Sequence, residues 1–230
     1  SLAVGLRGVH RERTIGDTFE QSGSGETYID MADLGMLIGS GGTLSHAPRR
    51  AQAALMLLDA FQPEAETMLA VDSIFMMPQL GILASVHPKA AMQVFDRDCL
   101  VKLGTSIAPI GPSGNAQFGE PCVTVTIDYN GETIEESVPY GSMKVVKIPE
   151  NVEVDAVIHP ARQFDAGKGH GRVVETKVNG GVVGVVIDCR GRPIALPDDP
   201  TLRGQKLLEW FTAMDMYPAE LLKKYADKGI

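Results

Sequence analysis

The sequence predicts an α/β region followed by a small β-rich barrel or sandwich domain and a C-terminal helix. Up to about residue 112, apolar residues recur at helical spacing, and Ala, Met and Leu dominate. Beyond that point, Val and Ile alternate with polar residues in short runs that Gly and Pro separate. We therefore expect three parts: an α/β subdomain over residues 1–112, a β-rich domain over 113–200 and a helical tail over 201–230.

Composition argues against several classes of protein. The 230 residues carry a formal net charge of -8, which disfavours nucleic acid as a partner because clustered Lys and Arg hold phosphate backbones. No uncharged apolar run is long enough to span a membrane. The three cysteines are far apart and odd in number, which suits a reducing compartment, so we expect a cytoplasmic protein. Because the sequence begins with Ser1 rather than Met, we expect a fragment or a processed chain.

The first predicted strand ends in a glycine-rich turn. Leu34–Ile38 is a short apolar run bounded by Gly, as expected for a buried strand, and Gly39–Gly42 then turns the chain. We expect the next helix to be capped by Ser45, to have Pro48 in its first turn and to end before Pro63.

Further α/β elements follow this helix. Thr67–Val71 predicts a second strand, and Pro78–Leu83 and Pro88–Leu103 predict helices. This alternation favours parallel pairing of strands with right-handed crossovers. Asp72, at the carboxyl end of the second strand, is a possible polar site, with a helix cap as the alternative role.

The second half has the pattern of short strands joined by turns. Ile110–Asn115 is the best linker candidate, and Asn130-Gly131 is the strongest hairpin signal in the chain. Asp198 and Asp199 are expected to cap a closing helix. Further strands are expected at Met143–Ile148, Val152–Ile158, Arg172–Val178, Val182–Asp188 and Pro193–Leu196.

The glycine-rich turn is the sharpest candidate site. Glycines let a ligand approach the main chain closely, and a following helix offers unpaired N–H groups to an anion or a nucleotide. Arg49 and Arg50 add donors nearby. The turn matches neither a Walker A loop nor Gly-x-Gly-x-x-Gly, because Leu44 takes the third glycine position, and a purely structural turn is the alternative. The residues expected to bind a ligand are Gly39, Ser40, Gly41, Gly42, Ser45 and His46.

Two weaker candidates lie in the second half. Gly167–Arg172 could hold a phosphate or a carboxylate, with a flexible hairpin as the alternative. Lys144 follows Met143 as in the attachment turn of biotinyl domains, although Ser142 and Val145 replace the usual neighbours, and an edge-strand lysine is the alternative. The histidines are scattered, so we expect no metal site and no catalytic residue in this chain.

Three segments resemble the glutamate mutase accessory family, also called MutL or GlmL and unrelated to mismatch-repair MutL. They are Ile38–Arg50, which contains the Gly-Ser-Gly-Gly-Thr-Leu-Ser-His run, Asp59–Pro63 and Val71–Gly81. A later stretch, Gly180–Asp188 followed by Arg190-Gly-Arg-Pro193, resembles the C-terminal extension of the family's long members. The resemblance covers nearly the whole chain and is most specific between residues 38 and 111.

The resemblance implies a fold of the actin, Hsp70 and sugar-kinase superfamily of ATPases. It also implies a role as a reactivating chaperone that exchanges damaged cobalamin on adenosylcobalamin-dependent mutases, with ATP or ADP as cofactor. In that superfamily a Gly-rich turn in the second half contacts adenosine, and here it would be Gly39–Gly42. The first phosphate-binding hairpin, Asp-x-Gly-x-Thr, has no counterpart after a strand in this sequence. The chain would therefore be the C-terminal half of a longer protein, without ATP hydrolysis of its own.

Two other functions remain open at this point. In one, the chain is a non-catalytic interaction module that docks a partner enzyme through its β-rich domain, and the Gly-rich turn is structural. In the other, Lys144 makes the chain a biotin- or lipoate-type carrier. The partners that the family resemblance implies are a cobalamin-dependent mutase and the N-terminal ATPase half of the same protein. The sequence names neither the mutase nor the oligomeric state.

Overall fold

The computed structural model describes residues 31–226. The strands are β1 Met36–Gly39, β2 Ala65–Asp72, β3 Leu100–Ala108, β4 Pro121–Tyr129, β5 Glu132–Pro139, β6 Met143–Val146, β7 Glu153–Pro160, β8 Val174–Asn179 and β9 Val185–Asp188. The α-helices are α1 Gly42–Ser45, α2 Arg50–Phe61, α3 Met77–Ala84, α4 Pro88–Val94, α5 Pro200–Ala213 and α6 Ala219–Ala226. Within residues 31–226, no helix has the length and apolar character needed to cross a membrane.

Two β-sheets organise the molecule. One has the strand order β1-β2-β3-β9-β6, and the other has the order β5-β4-β7-β8. β1 and β2 are parallel, with Met36 opposite Met68, which confirms the predicted parallel pairing and the mixed α/β class. Both sheets end in edge strands, so the described residues form no closed barrel, and the barrel version of the prediction is wrong.

Strand β3 lies where the sequence predicts the end of a helix. The predicted helix Pro88–Leu103 stops at Val94, a π-helical turn follows, and β3 begins at Leu100. β3 pairs antiparallel with β2 and parallel with β9. The β-branched residues Thr105 and Ile107 favour a strand, but the apolar spacing of the segment fits either element. The helix prediction is therefore wrong in its second half.

The second half contains the predicted hairpin turn. Asn130 and Gly131 join β4 to β5 with φ angles of 54° and 79°, which a two-residue type I′ turn requires. The strand predicted at Pro193–Leu196 is wrong, because no strand forms there. Instead, the N–H of Ala195 donates to the carbonyl of Arg190 at 3.0 Å and turns the chain back.

The five-stranded sheet contains strands from both sides of residue 112. β9 lies between β3 and β6, with Ser106 opposite Val186 and Lys144 opposite Ile187. The chain therefore leaves this sheet after β3 and returns to it for β6 and again for β9, while β4, β5, β7 and β8 build the other sheet. The division of the chain into three domains stays a prediction.

Two clusters of buried side chains hold three layers together. The first cluster lies between the two sheets and includes Ile107, Val125, Val146, Ile158 and Ile187. The second lies between the five-stranded sheet and the helices α2 and α5, and it includes Leu37, Leu58, Leu69, Val186 and Trp210. The order of layers is thus helices, five-stranded sheet and four-stranded sheet.

The helix after the glycine-rich turn forms in two pieces. α1 is a single turn and α2 begins at Arg50, so Pro48 precedes α2 rather than lying in its first turn. Ser45 does not cap α2, because its hydroxyl is buried and donates to the main-chain oxygen of Asp72 at 2.6 Å. Because α1 is a single turn, its peptide dipoles also sum to little at the glycine-rich turn.

Replacing Gly104 by Ala should destabilise the protein more than replacing Gly114 by Ala. Both glycines have positive φ angles, 130° and 96°, so each substitution strains the main chain by about 1–2 kcal/mol. A methyl group on Gly104 would also overlap the main chain of Gly184, whereas one on Gly114 would face open space. Urea unfolding of both variants measures the difference. Equal losses in the free energy of unfolding would contradict the close approach of these two chain segments.

Candidate functional site

The glycine-rich turn lies at the carboxyl end of the parallel strands β1 and β2. Gly39, the last residue of β1, is buried. A β-carbon on Gly39 would lie 2.6 Å from Leu44 Cδ1 and 2.9 Å from Leu57 Cδ2, so a larger residue would require both leucine side chains to shift. Packing alone therefore explains the glycine at this position.

Asp72, the last residue of β2, holds the glycine-rich turn in place by hydrogen bonds from the buried side. Its buried carboxylate accepts hydrogen bonds from the Ser40 hydroxyl at 3.2 Å and from the N–H groups of Met76 and Met77 at 3.1 and 3.0 Å. Burial alone would raise the pKa of Asp72, but these hydrogen bonds outweigh it and hold the pKa below its usual value. Asp72 thus links the turn to the start of α3, although the N-cap residue of that helix is Met76 and not Asp72.

Gly41, Gly42 and His46 lie on the open side of the turn. Gly41 has a φ of 114°, and the space beside its α-carbon is free. Gly42 and His46 line one end of a cavity of about 710 Å³, a volume typical of small-molecule sites. The structure therefore divides the predicted residues, since Gly39 and Ser45 support the turn from the interior while Gly42 and His46 border the cavity.

The cavity extends from the turn along α2 to the end of α5. Two of its aromatic rings, Phe211 and Tyr217, meet edge to face with 5.6 Å between their centroids. The carboxylate of Asp59 is a polar group in this wall, with its side chain 53% exposed. The apolar part of the lining includes Leu55, Met56, Phe211 and Met216.

The two arginines expected to serve as free donors are engaged within the protein. Arg49 Nη1 donates to the main-chain oxygen and to Oδ1 of Asp215, both at 2.9 Å. Arg50 Nη1 donates to the main-chain oxygen of Ser45 at 2.9 Å. Arg49 therefore ties the start of α2 to the segment after α5, and Arg50 stabilises the end of α1.

A buried ion cluster lies at the far end of α2, and sequence reasoning missed it. Asp188 is fully buried and Arg190 is 2% exposed. Arg190 Nε and Nη2 donate to the two oxygens of Asp188 at 2.9 Å, and Arg192 Nη2 donates to Oδ2 at 2.9 Å. Burial would raise the pKa of Asp188, but the two guanidinium groups hold it far below its usual range. The signal in the sequence is a charged Asp-x-Arg-x-Arg run that begins at the last residue of an apolar strand.

The ion cluster joins β9 to both neighbouring helices. Arg190 Nη1 donates to Asp59 Oδ1 at 2.6 Å and so reaches the wall of the cavity. The same guanidinium lies 5.1 Å from the ring centroid of Trp210 on α5, whose indole N–H donates to the Gly141 oxygen at 2.8 Å. Arg192 Nε donates to the Pro63 oxygen after α2 at 2.8 Å. The position of Asp59 therefore depends on residues from the second half of the chain.

The two weaker candidates have structural partners. In the Gly167–Arg172 loop, the N–H groups of Gly167 and Gly169 donate to Asp165 Oδ1 at 2.7 and 2.8 Å, so an internal carboxylate already occupies these donors. Lys144 lies in the edge strand β6 and forms an ion pair with Glu136 at 3.4 Å. Among residues 31–226, no group of three or more His, Cys, Asp and Glu side chains could hold a metal ion.

A family model described as MutL protein matches residues 10–99. This confirms the similarity to the glutamate mutase accessory family over the segment that contains β1, the glycine-rich turn, α1, α2, β2, α3 and α4. The match covers less than half of the chain and does not reach the Gly180–Pro193 stretch. No curated protein and no solved structure matches the chain.

Replacing Asp188 by Asn should lower the free energy of unfolding by about 3–5 kcal/mol, because two buried guanidinium groups would lose the negative charge that they share. The matched control is Glu153→Gln, which breaks the exposed ion pair with Lys177 and should change stability little. Urea unfolding followed by circular dichroism measures both. A loss in the Asp188 variant as small as that in the control would contradict the burial of the cluster.

Acid sensitivity should decrease when Asp72 is replaced by Asn. The pKa of Asp72 is lower in the folded than in the unfolded chain, so its carboxylate stabilises the fold above the unfolded value of about 3.9. That contribution is lost as the pH falls through the lower, folded-state pKa. The variant should therefore be less stable than the wild type at neutral pH but lose less stability on acidification, as thermal melts at a series of pH values would show. Parallel pH curves for the two proteins would overturn the assignment.

Proposed function

We propose that this chain is the C-terminal portion of an ATPase-like accessory protein that reactivates an adenosylcobalamin-dependent mutase, and that it contributes the adenosine-side contacts. The family match over residues 10–99 carries the proposal, because the matched segment contains the glycine-rich turn. The turn borders a cavity large enough for a nucleoside, which supports the same assignment.

In this proposal the adenosine of ATP or ADP lies against the main chain of Gly41 and Gly42. The free space beside Gly41 lets a base or sugar approach the peptide groups, and His46, which lines the cavity together with Gly42, supplies a ring and a hydrogen-bonding group. Ser40 and Ser45 hold the turn rigidly through Asp72, so the contact surface is formed before the ligand arrives.

The phosphates and Mg²⁺ would be held by another part of the protein. The described residues provide neither an Asp-x-Gly-x-Thr hairpin nor a carboxylate cluster for a metal ion. We therefore assign phosphate binding and hydrolysis to the N-terminal ATPase half, and binding without turnover to this chain. Closure of a cleft between the halves would then transmit the nucleotide state to the mutase.

Isothermal titration of the 230-residue chain with ADP and ATP tests nucleotide binding. We expect heat of binding for the wild type and at least about a tenfold weaker affinity for Gly41→Val, whose side chain would fill the free space beside the turn. The matched control is Gly114→Val, which also has a positive φ and open surroundings but lies in the loop between β3 and β4 rather than in the glycine-rich turn. No heat with either nucleotide, or equal affinities for the two variants, would contradict the proposal.

A docking module without nucleotide binding is the second candidate function. The close packing of Gly39 against Leu44 and Leu57 favours it, because it gives this glycine a purely structural role. Cutting the chain near residue 112 cannot separate the two functions, since β3 pairs with β9. Capture of a cobalamin-dependent mutase by the whole chain, unchanged in Gly41→Val and without any nucleotide heat, would favour the docking module.

A further inference from the structure

The cavity beside the glycine-rich turn has a carboxylate in its wall that is held from one side. Asp59 lies in the last turn of α2, lines the cavity and is half-exposed. Arg190 Nη1 donates to Asp59 Oδ1 at 2.6 Å, so a buried guanidinium fixes the orientation of the carboxylate. Among the hydrogen bonds of residues 31–226, none is donated to Oδ2 of Asp59. One oxygen of Asp59 is thus held by the protein, and the other is available to a donor in the cavity.

Contacts between α2 and the segment around α5 give the order of groups along the cavity. Near the start of α2, Gln52 Nε2 donates to the main-chain oxygen of Met216 at 3.2 Å. Near its end, Asp59 binds Arg190, whose guanidinium lies 5.1 Å from the ring centroid of Trp210. Gln52 and Asp59 are about 10 Å apart along the helix axis, because each residue of a helix rises about 1.5 Å. The cavity is therefore elongated, and Asp59 lies at the end remote from the glycine-rich turn.

The wall between these two ends is apolar and aromatic. Met56, which lies between Gln52 and Asp59 on α2, lines the cavity together with Phe211 of α5. The ring of Tyr217 meets that of Phe211 edge to face and extends the aromatic surface. Apolar and aromatic surfaces of this kind bind the faces of a flat heteroaromatic ring. A ring that carries a hydrogen-bond donor on its edge matches both this wall and the carboxylate at its end.

Charge favours one direction for a nucleotide in this cavity. Of the described residues that line it, none is a lysine or an arginine. At the remote end the group presented to a ligand is the carboxylate of Asp59, since Arg190 is buried and also binds Asp188. Phosphates placed there would meet a like charge, which is unfavourable. The phosphates would therefore leave the cavity past the glycine-rich turn, and the base would lie at the end formed by Asp59.

We infer that Asp59 determines specificity for the base, with the exocyclic amino group of adenine donating to Asp59 Oδ2. The faces of the base would pack against Met56 and Phe211, and the ribose would lie against Gly41 and Gly42. Arg190 is a positioning residue in this arrangement, because it holds Oδ1 and leaves Oδ2 for the ligand. The inference rests on the proposed nucleotide binding and adds to it the residue that recognises the base.

Isothermal titration of the whole chain with adenosine and with purine riboside, which is adenosine without its amino group, tests this role. The wild type should bind adenosine at least about tenfold more tightly, because purine riboside lacks the hydrogen bond to a charged acceptor. In Asp59→Asn, Arg190 would hold the amide oxygen, and the amide NH₂ would take the place of Oδ2. A donor would then face the amino group of adenosine, so the preference for adenosine should disappear in this variant.

The matched control is Asp96→Asn, which breaks a surface ion pair with Lys102 and should keep the preference for adenosine. Circular dichroism melts establish that both variants are folded. Equal affinities of the wild type for the two nucleosides, or a preference that persists in Asp59→Asn, would overturn the role of Asp59 and leave nucleotide binding intact. Heat with ADP but with neither nucleoside would overturn it as well. No heat with the nucleosides or with ADP would instead contradict the proposed function, and the inference with it.

Discussion

The buried carboxylate of Asp188 is the group on which the arrangement of the whole molecule depends. Burying a charged carboxylate away from water costs much free energy unless hydrogen bonds and opposite charges surround it. Here Arg190 and Arg192 supply both. The same arginines extend to Asp59 and Pro63 at the end of α2, while Trp210 of α5 lies against Arg190. A single buried charge thereby holds strand β9 and the helices α2 and α5 in one relative position.

A second buried carboxylate, Asp72, has the corresponding task at the glycine-rich turn. It binds Ser40 on one side and the first N–H groups of α3 on the other, so the loops after β1 and β2 are held to each other rather than to a ligand. The cavity lies between these two anchors, with Gly42 at one end and Asp59 at the other. Its shape is therefore set by interactions that are complete before anything binds, which is the usual condition for a selective site.

Local patterns in the sequence predict the parts of this fold that depend on local chemistry. Asn130-Gly131 predicts its hairpin because few residues adopt positive φ without strain, and the apolar run before Gly39 predicts β1. The sequence does not predict strand β3, because the apolar spacing of this segment suits a helix as well as a strand. Only the pairing of the segment with β2 and β9 decides between the two. The Asp188 cluster was missed for a related reason, since Asp59 lies far away in the sequence and only the folded chain brings it to Arg190.

The departure of the chain from the five-stranded sheet after β3 has a consequence for synthesis on the ribosome. Ser106 pairs with Val186, so the outer edge of β3 stays without its partner until eighty further residues have been translated. Pairings of such long sequence separation form late and slowly. Meanwhile the nascent chain presents an open row of main-chain donors and acceptors, which is a template for association with other chains. The growing polypeptide, rather than the finished protein, is thus the stage at which this topology is most vulnerable to aggregation.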